Sequence, residues 1–294
     1  MFRNRLKSAW LGAALFALAA VPAPAAPEGS GTIEVDVKLV IATDTSNSIN
    51  DTEAKLQRDG IADVFLEPEV VKAIQSGQLG RIAVSMVDWG SEQHVVLDWT
   101  IVEDKASAAV LSEKIREIPR TPGERTSISG ALERSFLMLN TSDGRIVAEK
   151  KVVDVSGDGP NNDGQSQQQF HDKTKDNGII VNGLPIMDAT SEGYYEDLDQ
   201  YYGACVVAGK GAFLVVVKSY RDFGTAMRRK LVLEISQNES QIKQTLGELR
   251  TNPLLHYAAA AATAARPSFQ VSRPAKIYPG GCDKFGGWQV NEAK

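Results

Sequence analysis

The chain has 294 residues, 43% of them hydrophobic, with 32 Lys and Arg against 37 Asp and Glu for a formal charge of -5. That is enough apolar material for one sizeable core, and it excludes a disordered or fibrous class. The acidic balance, with basic residues scattered rather than clustered, argues against nucleic acid as a partner.

At the start, Arg3, Arg5 and Lys7 precede an Ala- and Leu-rich run from Ala9 to Val21 and the small-residue pattern Ala23-Pro24-Ala25. This order predicts a secretory signal peptide over 1–25, cleaved after Ala25 and followed by a linker over 26–32. A retained membrane anchor needs about 20 apolar residues, more than this run supplies. No later stretch is long and apolar enough to span a bilayer, so the mature protein is expected to be periplasmic or secreted, with no membrane span. Export bears on the two cysteines: in an oxidising compartment Cys205 and Cys282 are expected to form a disulfide, the alternative being two separately buried thiols.

The main domain is expected over 33–243. Thr32 to Ala42 reads as a strand whose second half is apolar on both faces, the signature of a central parallel strand. A helix follows from Asp51, with Leu56, Ile61, Val64 and Phe65 on its inner side. Residues 81 to 102 hold two β-rich runs around Gly90-Ser91 and predict a hairpin. Leu111, Ile115 and Ile118 mark one helix, and Ile128, Leu132, Phe136 and Leu139 another. Residues 151–156 and 178–182 are short buried strands separated by a Gln-rich helix over 165–177. A further strand covers 212–217, and Phe223, Met227, Leu231 and Ile235 recur at fours on a last helix. Beyond Lys243 the pattern decays into an Ala run and a Pro- and Gly-rich tail, taken as a C-terminal extension over 244–294. Strands alternating with helices, plus one hairpin, predict an α/β fold: an open, mostly parallel sheet covered on both faces.

Such sheets bind ligands where strands end and the chain order reverses. Asp44 stands at such an end, in "VIATDTSNSIN", and opens a D-x-S-x-S loop with Ser46 and Ser48. One carboxylate and two hydroxyls on a strand-to-helix turn suit a hard divalent cation, which takes oxygen ligands. Two more loops offer oxygen at the same end: "GERTSISGAL" carries Thr126 and Ser127 into a helix, and "KVVDVSGDGPNN" places Asp158 in a glycine-flanked turn after a buried strand.

Together these loops resemble a von Willebrand factor type A domain with a metal-ion-dependent adhesion site, and the hairpin over 81–102 resembles the second and third strands of that fold. The resemblance covers about 33–238. More narrowly, "DVSGDGPNN", "TSISGAL", "YYGACVVAGKGAFLVVV" and "RRKLVLEI" resemble an exported bacterial branch of type A domains to which no function is assigned. The resemblance implies a Rossmann-like type A fold. It also implies a Mg2+ or Mn2+ site in which Ser46, Ser48 and Thr126 are hydroxyl ligands and Asp44 and Asp158 bind directly or through water. One departure stands out. Where the family has Thr-Asp-Gly straight after the strand, this chain has Ser156-Gly157-Asp158-Gly159, with an additional glycine; Asp154, within the strand, is the alternative ligand.

Mostly neutral ligands leave a cation much of its charge, so the implied use is recognition of a protein partner that presents an Asp or Glu to the metal. The competing readings are a metal-dependent hydrolase or phosphoryl-transfer enzyme, and a purely structural metal site. Against an enzyme, the chain has no G-x-x-x-x-G-K-[ST], H-E-x-x-H or G-x-S-x-G, and His94, His171 and His256 lie far apart. Tyr194, Tyr195, Tyr201 and Tyr202 form an aromatic cluster, expected to pack on the sheet rather than form an interface hot spot.

Overall fold

A computed structural model of the chain describes residues 31–141, 145–192, 194–251, 255–259 and 282–283. The expected signal peptide, most of the linker and most of 244–294 lie outside these residues. Strand β1 runs Ile33–Asp44, followed by helices α1 (Asp51–Val64) and α2 (Pro68–Gln75). Strands β2 (Ile82–Trp89) and β3 (Gln93–Val102) form the hairpin, and α3 (Lys105–Glu117) and α4 (Ile128–Thr141) follow. Next come β4 (Ile146–Gly157), α5 (Gln167–Asp176), β5 (Ile179–Pro185), and a short α6 (Leu198–Tyr201) that runs into a π-helical turn. The chain continues with β6 (Phe213–Val217), α7 (Phe223–Ile235), α8 (Glu239–Thr251) and β7 (Leu255–Ala259).

The seven strands form one sheet in the order β3-β2-β1-β4-β5-β6-β7. Strands β2, β1, β4, β5 and β6 are mutually parallel, and β3 and β7 run antiparallel at the two edges. This is the Rossmann-like type A topology. It carries one more antiparallel strand than the sequence pattern suggested, because β7 begins just before the Ala run and pairs through backbone groups that no apolar alternation announces.

The period of two along β1 divides the core. Val37, Leu39 and Ile41 face α1, α2, α3, α7 and α8, whereas Val40 and Ala42 face α4, α5 and α6. Helix α1 starts on a reciprocal cap: Asn50 Oδ1 accepts from the N–H of Thr52 (3.0 Å) and Glu53 (3.1 Å), and Glu53 Oε2 accepts from Asn50 N–H (2.9 Å). Helices α1 and α7 touch through glycine: a Cβ on Gly60 would lie 3.0 Å from the Phe223 ring and 3.1 Å from Gly224 Cα.

Cys205 and Cys282 form a disulfide, with Cα atoms 5.4 Å apart. It brings Asp283 to the start of α5, where the carboxylate accepts from Ser166 Oγ and Gln167 N–H, both at 2.6 Å. Cys282 also offers its carbonyl to Tyr201 Oη (3.3 Å), and Tyr201 Oη accepts in turn from Asn161 N–H (3.2 Å). Among the described residues no helix is long and apolar enough to cross a membrane.

Candidate functional site

The strand order reverses between β1 and β4, and Asp44 and Asp158 stand at the carboxyl ends of those neighbours. Backbone hydrogen bonds fasten the loops above them. Thr45 N–H donates to the Trp89 carbonyl (2.8 Å), Gly123 N–H to the Thr45 carbonyl (2.8 Å), and Asn47 N–H to the Glu124 carbonyl (3.1 Å). Gly90 and Gly123 let two of these loops meet at their backbones: a Cβ on Gly90 would lie 2.8 Å from Gly123 Cα.

The side chains then form a connected set. Ser46 Oγ and Ser48 Oγ are 3.1 Å apart, Ser48 Oγ donates to Asp158 Oδ1 (2.7 Å), and Ser46 N–H donates to Asp44 Oδ1 (2.8 Å). Thr126 is buried beside the same turn: a Cβ on Gly159 would lie 3.5 Å from Thr126 Oγ1. Its backbone is tied both ways to Asn162, N–H to Oδ1 and carbonyl to N–H, each at 2.9 Å. The additional glycine has a local reason. Any Cβ on Gly157 would come within 2.8 Å of both Asp44 Oδ2 and the Tyr202 hydroxyl, so the turn from β4 to Asp158 passes there only without a side chain. Asp154 lies elsewhere: its carboxylate pairs with Lys230 Nζ of α7 (2.7 Å), both fully buried.

Sequence reasoning missed one residue here. Tyr220 Oη donates to Asp158 Oδ2 (3.1 Å) from the loop after β6. Its position just past a strand end was the one available signal. Tyr201 and Tyr202 are buried in the core as expected, and Tyr202 also reaches the floor of the site; Tyr194 is exposed. Asn161 and Asn162 shape the turn, Asn161 Oδ1 accepting from Ser129 N–H at the start of α4 (2.9 Å).

Burial holds the Asp44 carboxyl well above its usual range, and the negative charge of Asp158 pushes it further the same way. Burial likewise raises Asp158, against the opposing hydrogen bonds from Ser48 and Tyr220. Glu53, on the rim, is raised by burial and to a lesser degree by Asp158 and Asp188. Among the described residues neither Asp44 nor Asp158 has a lysine or arginine partner, and Asp44 Oδ2 is buried with no hydrogen-bond partner. Two close buried carboxylates without a counter-charge are costly, and the cost is relieved by holding a proton or by a neighbouring cation. Among the described residues there is no group of three or more His, Cys, Asp or Glu able to hold a metal. An ion here would rest on hydroxyls and two carboxylates, an all-oxygen set that suits Mg2+ or Mn2+ rather than a soft ion.

The family described as "Protein of unknown function (DUF1194)" matches residues 34–239. Proximal thread matrix protein 1 (PTMP1) from the mussel byssus is similar in structure, with 15% identity and a TM-score of 0.51 over 69% of this chain and 47% of that one. A von Willebrand factor type A protein from Catenulispora acidiphila matches at 14% identity and a TM-score of 0.47, over 68% of this chain and 43% of that one. The pilus adhesin SpaC from Lactobacillus rhamnosus GG matches at 13% and 0.48, over 68% and 31%. The chain thus spans less than half the length of each of these structures. No curated protein matches the sequence significantly.

Proposed function

The chain belongs to the DUF1194 family, and from that premise we propose that it is an exported, non-enzymatic type A module that binds a protein partner through a divalent cation. The observation that carries this reading is the pair of buried carboxylates, Asp44 and Asp158, linked through the Ser46 and Ser48 hydroxyls and lacking any basic partner among the described residues. Asp44, Ser46, Ser48, Thr126 and Asp158 would hold Mg2+ or Mn2+. Bound there, the ion would supply a Lewis-acidic centre with a coordination position open to an outside ligand.

The protein's own residues set the selectivity. Three of the five donors are neutral hydroxyls, so the site withholds negative charge and favours a ligand that brings it, an Asp or Glu side chain of the partner. Asp44, Ser46, Thr126 and Asp158 are all buried, which leaves the half-buried Ser48 and the rim to meet that ligand. The signal-peptide pattern of residues 1–25 supports a periplasmic or secreted location.

To test it, partners are captured from a cell-envelope extract with the wild-type protein and with Asp158→Ala, each with and without chelator. The expected result is a partner retained by the wild type alone, in the absence of chelator. A partner retained equally in all four arms would refute the reading.

A further inference from the structure

The disulfide shares an element with the floor of the proposed cation site. Cys205 belongs to the π-helical turn Tyr202–Val206, and the first residue of that turn reaches Asp44. A Cβ on Gly157 would lie 2.8 Å from both the Tyr202 hydroxyl and Asp44 Oδ2. The Tyr202 ring is seated over β5 as well, where a Cβ on Gly183 would lie 2.9 Å from its Cδ1. Turns of this π type recur at functional sites.

The other half of the bridge brings in two residues from the far end of the sequence, and each holds a loop of the site. The Cys282 carbonyl accepts from Tyr201 Oη (3.3 Å), which itself accepts from Asn161 N–H (3.2 Å). Asn161 Oδ1 in turn takes Ser129 N–H at the start of α4 (2.9 Å), and the neighbouring Asn162 is bonded to Thr126 in both directions. Asp283 acts at the start of α5, where its carboxylate accepts from Ser166 Oγ and Gln167 N–H, both at 2.6 Å. Such bonds are charge-assisted, and the helix N-terminus favours the negative charge. Gln167 Nε2 closes the circuit on the Cys205 carbonyl (2.8 Å). The segment from Asp158 to Gln167 is thus held at its start by Ser48 and Tyr220, midway by Tyr201 and at its end by Asp283.

These ties depend on the bond. With it closed, Cys282 and Asp283 are already in place; with it open, a few hydrogen bonds alone must offset the entropy of ordering both residues. We infer that Cys282 and Asp283, fixed by the disulfide, are positioning residues of the cation site, and that opening the bond lowers cation affinity while the sheet stays folded. The inference rests on the cation reading above and adds its regulation. A dithiol opens the bond by exchange: it gives up two electrons and two protons, its own sulfurs join, and Cys205 and Cys282 become thiols. The site then keeps all its ligand side chains and loses what fixes Thr126 and the Asp158 turn. The sheet keeps its own strand ladders.

The test is titration of the metal-free full chain with Mg2+, a hard ion for which thiols are poor ligands. Four samples are compared: oxidised wild type, wild type reduced with dithiothreitol, and oxidised Asp283→Ala and Asp283→Asn. Asp283→Asn, whose amide oxygen still accepts, should bind nearly as tightly as the oxidised wild type. The reduced protein and Asp283→Ala should bind about tenfold or more weakly, and reoxidation should restore the affinity. Thermal melting of each sample shows that it is folded at the titration temperature, and Asp283→Ala, which keeps the bond, decides the matter if reduction unfolds the chain. Amide hydrogen exchange gives a readout independent of the ion: reduction should speed exchange over 124–130 and 158–167 and leave β1 and β2 protected. Equal Mg2+ affinity in oxidised, reduced and Asp283→Ala protein, or exchange unchanged by reduction, would overturn the inference and leave the cation reading standing. No Mg2+ uptake by the oxidised wild type would overturn the cation reading and this inference with it.

Discussion

Single atoms decide whether the site can exist. Gly157 is one case, since its missing Cβ is what lets Asp158 reach Ser48 while Asp44 and Tyr202 stay close beneath it. Tyr220 is another: its hydroxyl anchors the second oxygen of Asp158. Tyr220→Phe should lower stability by about 1 kcal/mol, read from denaturant unfolding, because it strips a donor from a buried carboxylate. Another buried carboxyl adds to the response to pH that Asp44 and Asp158 already give. Lys230 sits buried between Asp154 and Glu234, and Asn182 Nδ2 also donates to Glu234 (2.7 Å). Burial pushes the Glu234 carboxyl up to about 7, Lys230 opposes the shift, and Asp154 adds to it. The folded state therefore holds this proton more tightly than the unfolded chain does. The stabilisation is complete below the carboxyl's ordinary range and is lost as pH rises towards 7 and beyond. Glu234→Gln should flatten that loss when unfolding is compared at acidic and mildly alkaline pH; an unchanged pH profile would assign the effect to other groups. The D-x-S-x-S loop was legible because its three donors are contiguous in sequence. Tyr220 and Lys230 were not, because their partners Asp158 and Asp154 lie on other elements and only the closed sheet brings them together.

Among the elements, those with strong periodicity were readable and those fixed by their neighbours were not. Helix α1 announced itself through its apolar face, and β1 through its doubly buried second half. Helix α2 has only eight residues, too few for a pattern to stand out, although Pro68 opens it as prolines commonly do. The segment after Lys243 read as a decaying tail, yet α8 continues to Thr251 and β7 completes the sheet edge beside β6. Ala258 and Ala259 carry little side-chain signal for a strand, and the pairing comes from their backbones. The contact between α1 and α7 is the element-level feature most open to test. Gly60→Val would drive a side chain into Phe223 and the Gly224 backbone, and it should destabilise the protein by about 1–3 kcal/mol in urea unfolding. An unaffected midpoint would mean that the two helices separate at little cost.

Across the whole molecule, the sheet order places one reversal at the centre, and the proposed cation site sits directly above it. The disulfide acts at this scale too. It joins residues 77 apart, and it connects through Tyr201 to the Asn161 turn and through Asp283 to the start of α5. Cys282→Ser should cost roughly 4 kcal/mol if the chain-entropy account holds, measured as a shift in thermal or denaturant midpoint against the oxidised wild type. Export and the presence of two cysteines pointed to that bridge from composition alone, whereas the tie from Cys282 to the site's own turn needed the fold. The most direct measurement of the central claim is calorimetric titration of metal-free protein with Mg2+ and with Mn2+, for the wild type and Asp158→Ala. The account expects one ion per chain for the wild type and loss of at least about tenfold in affinity for the variant. No uptake of either ion by the wild type, or equal uptake by the variant, would contradict it.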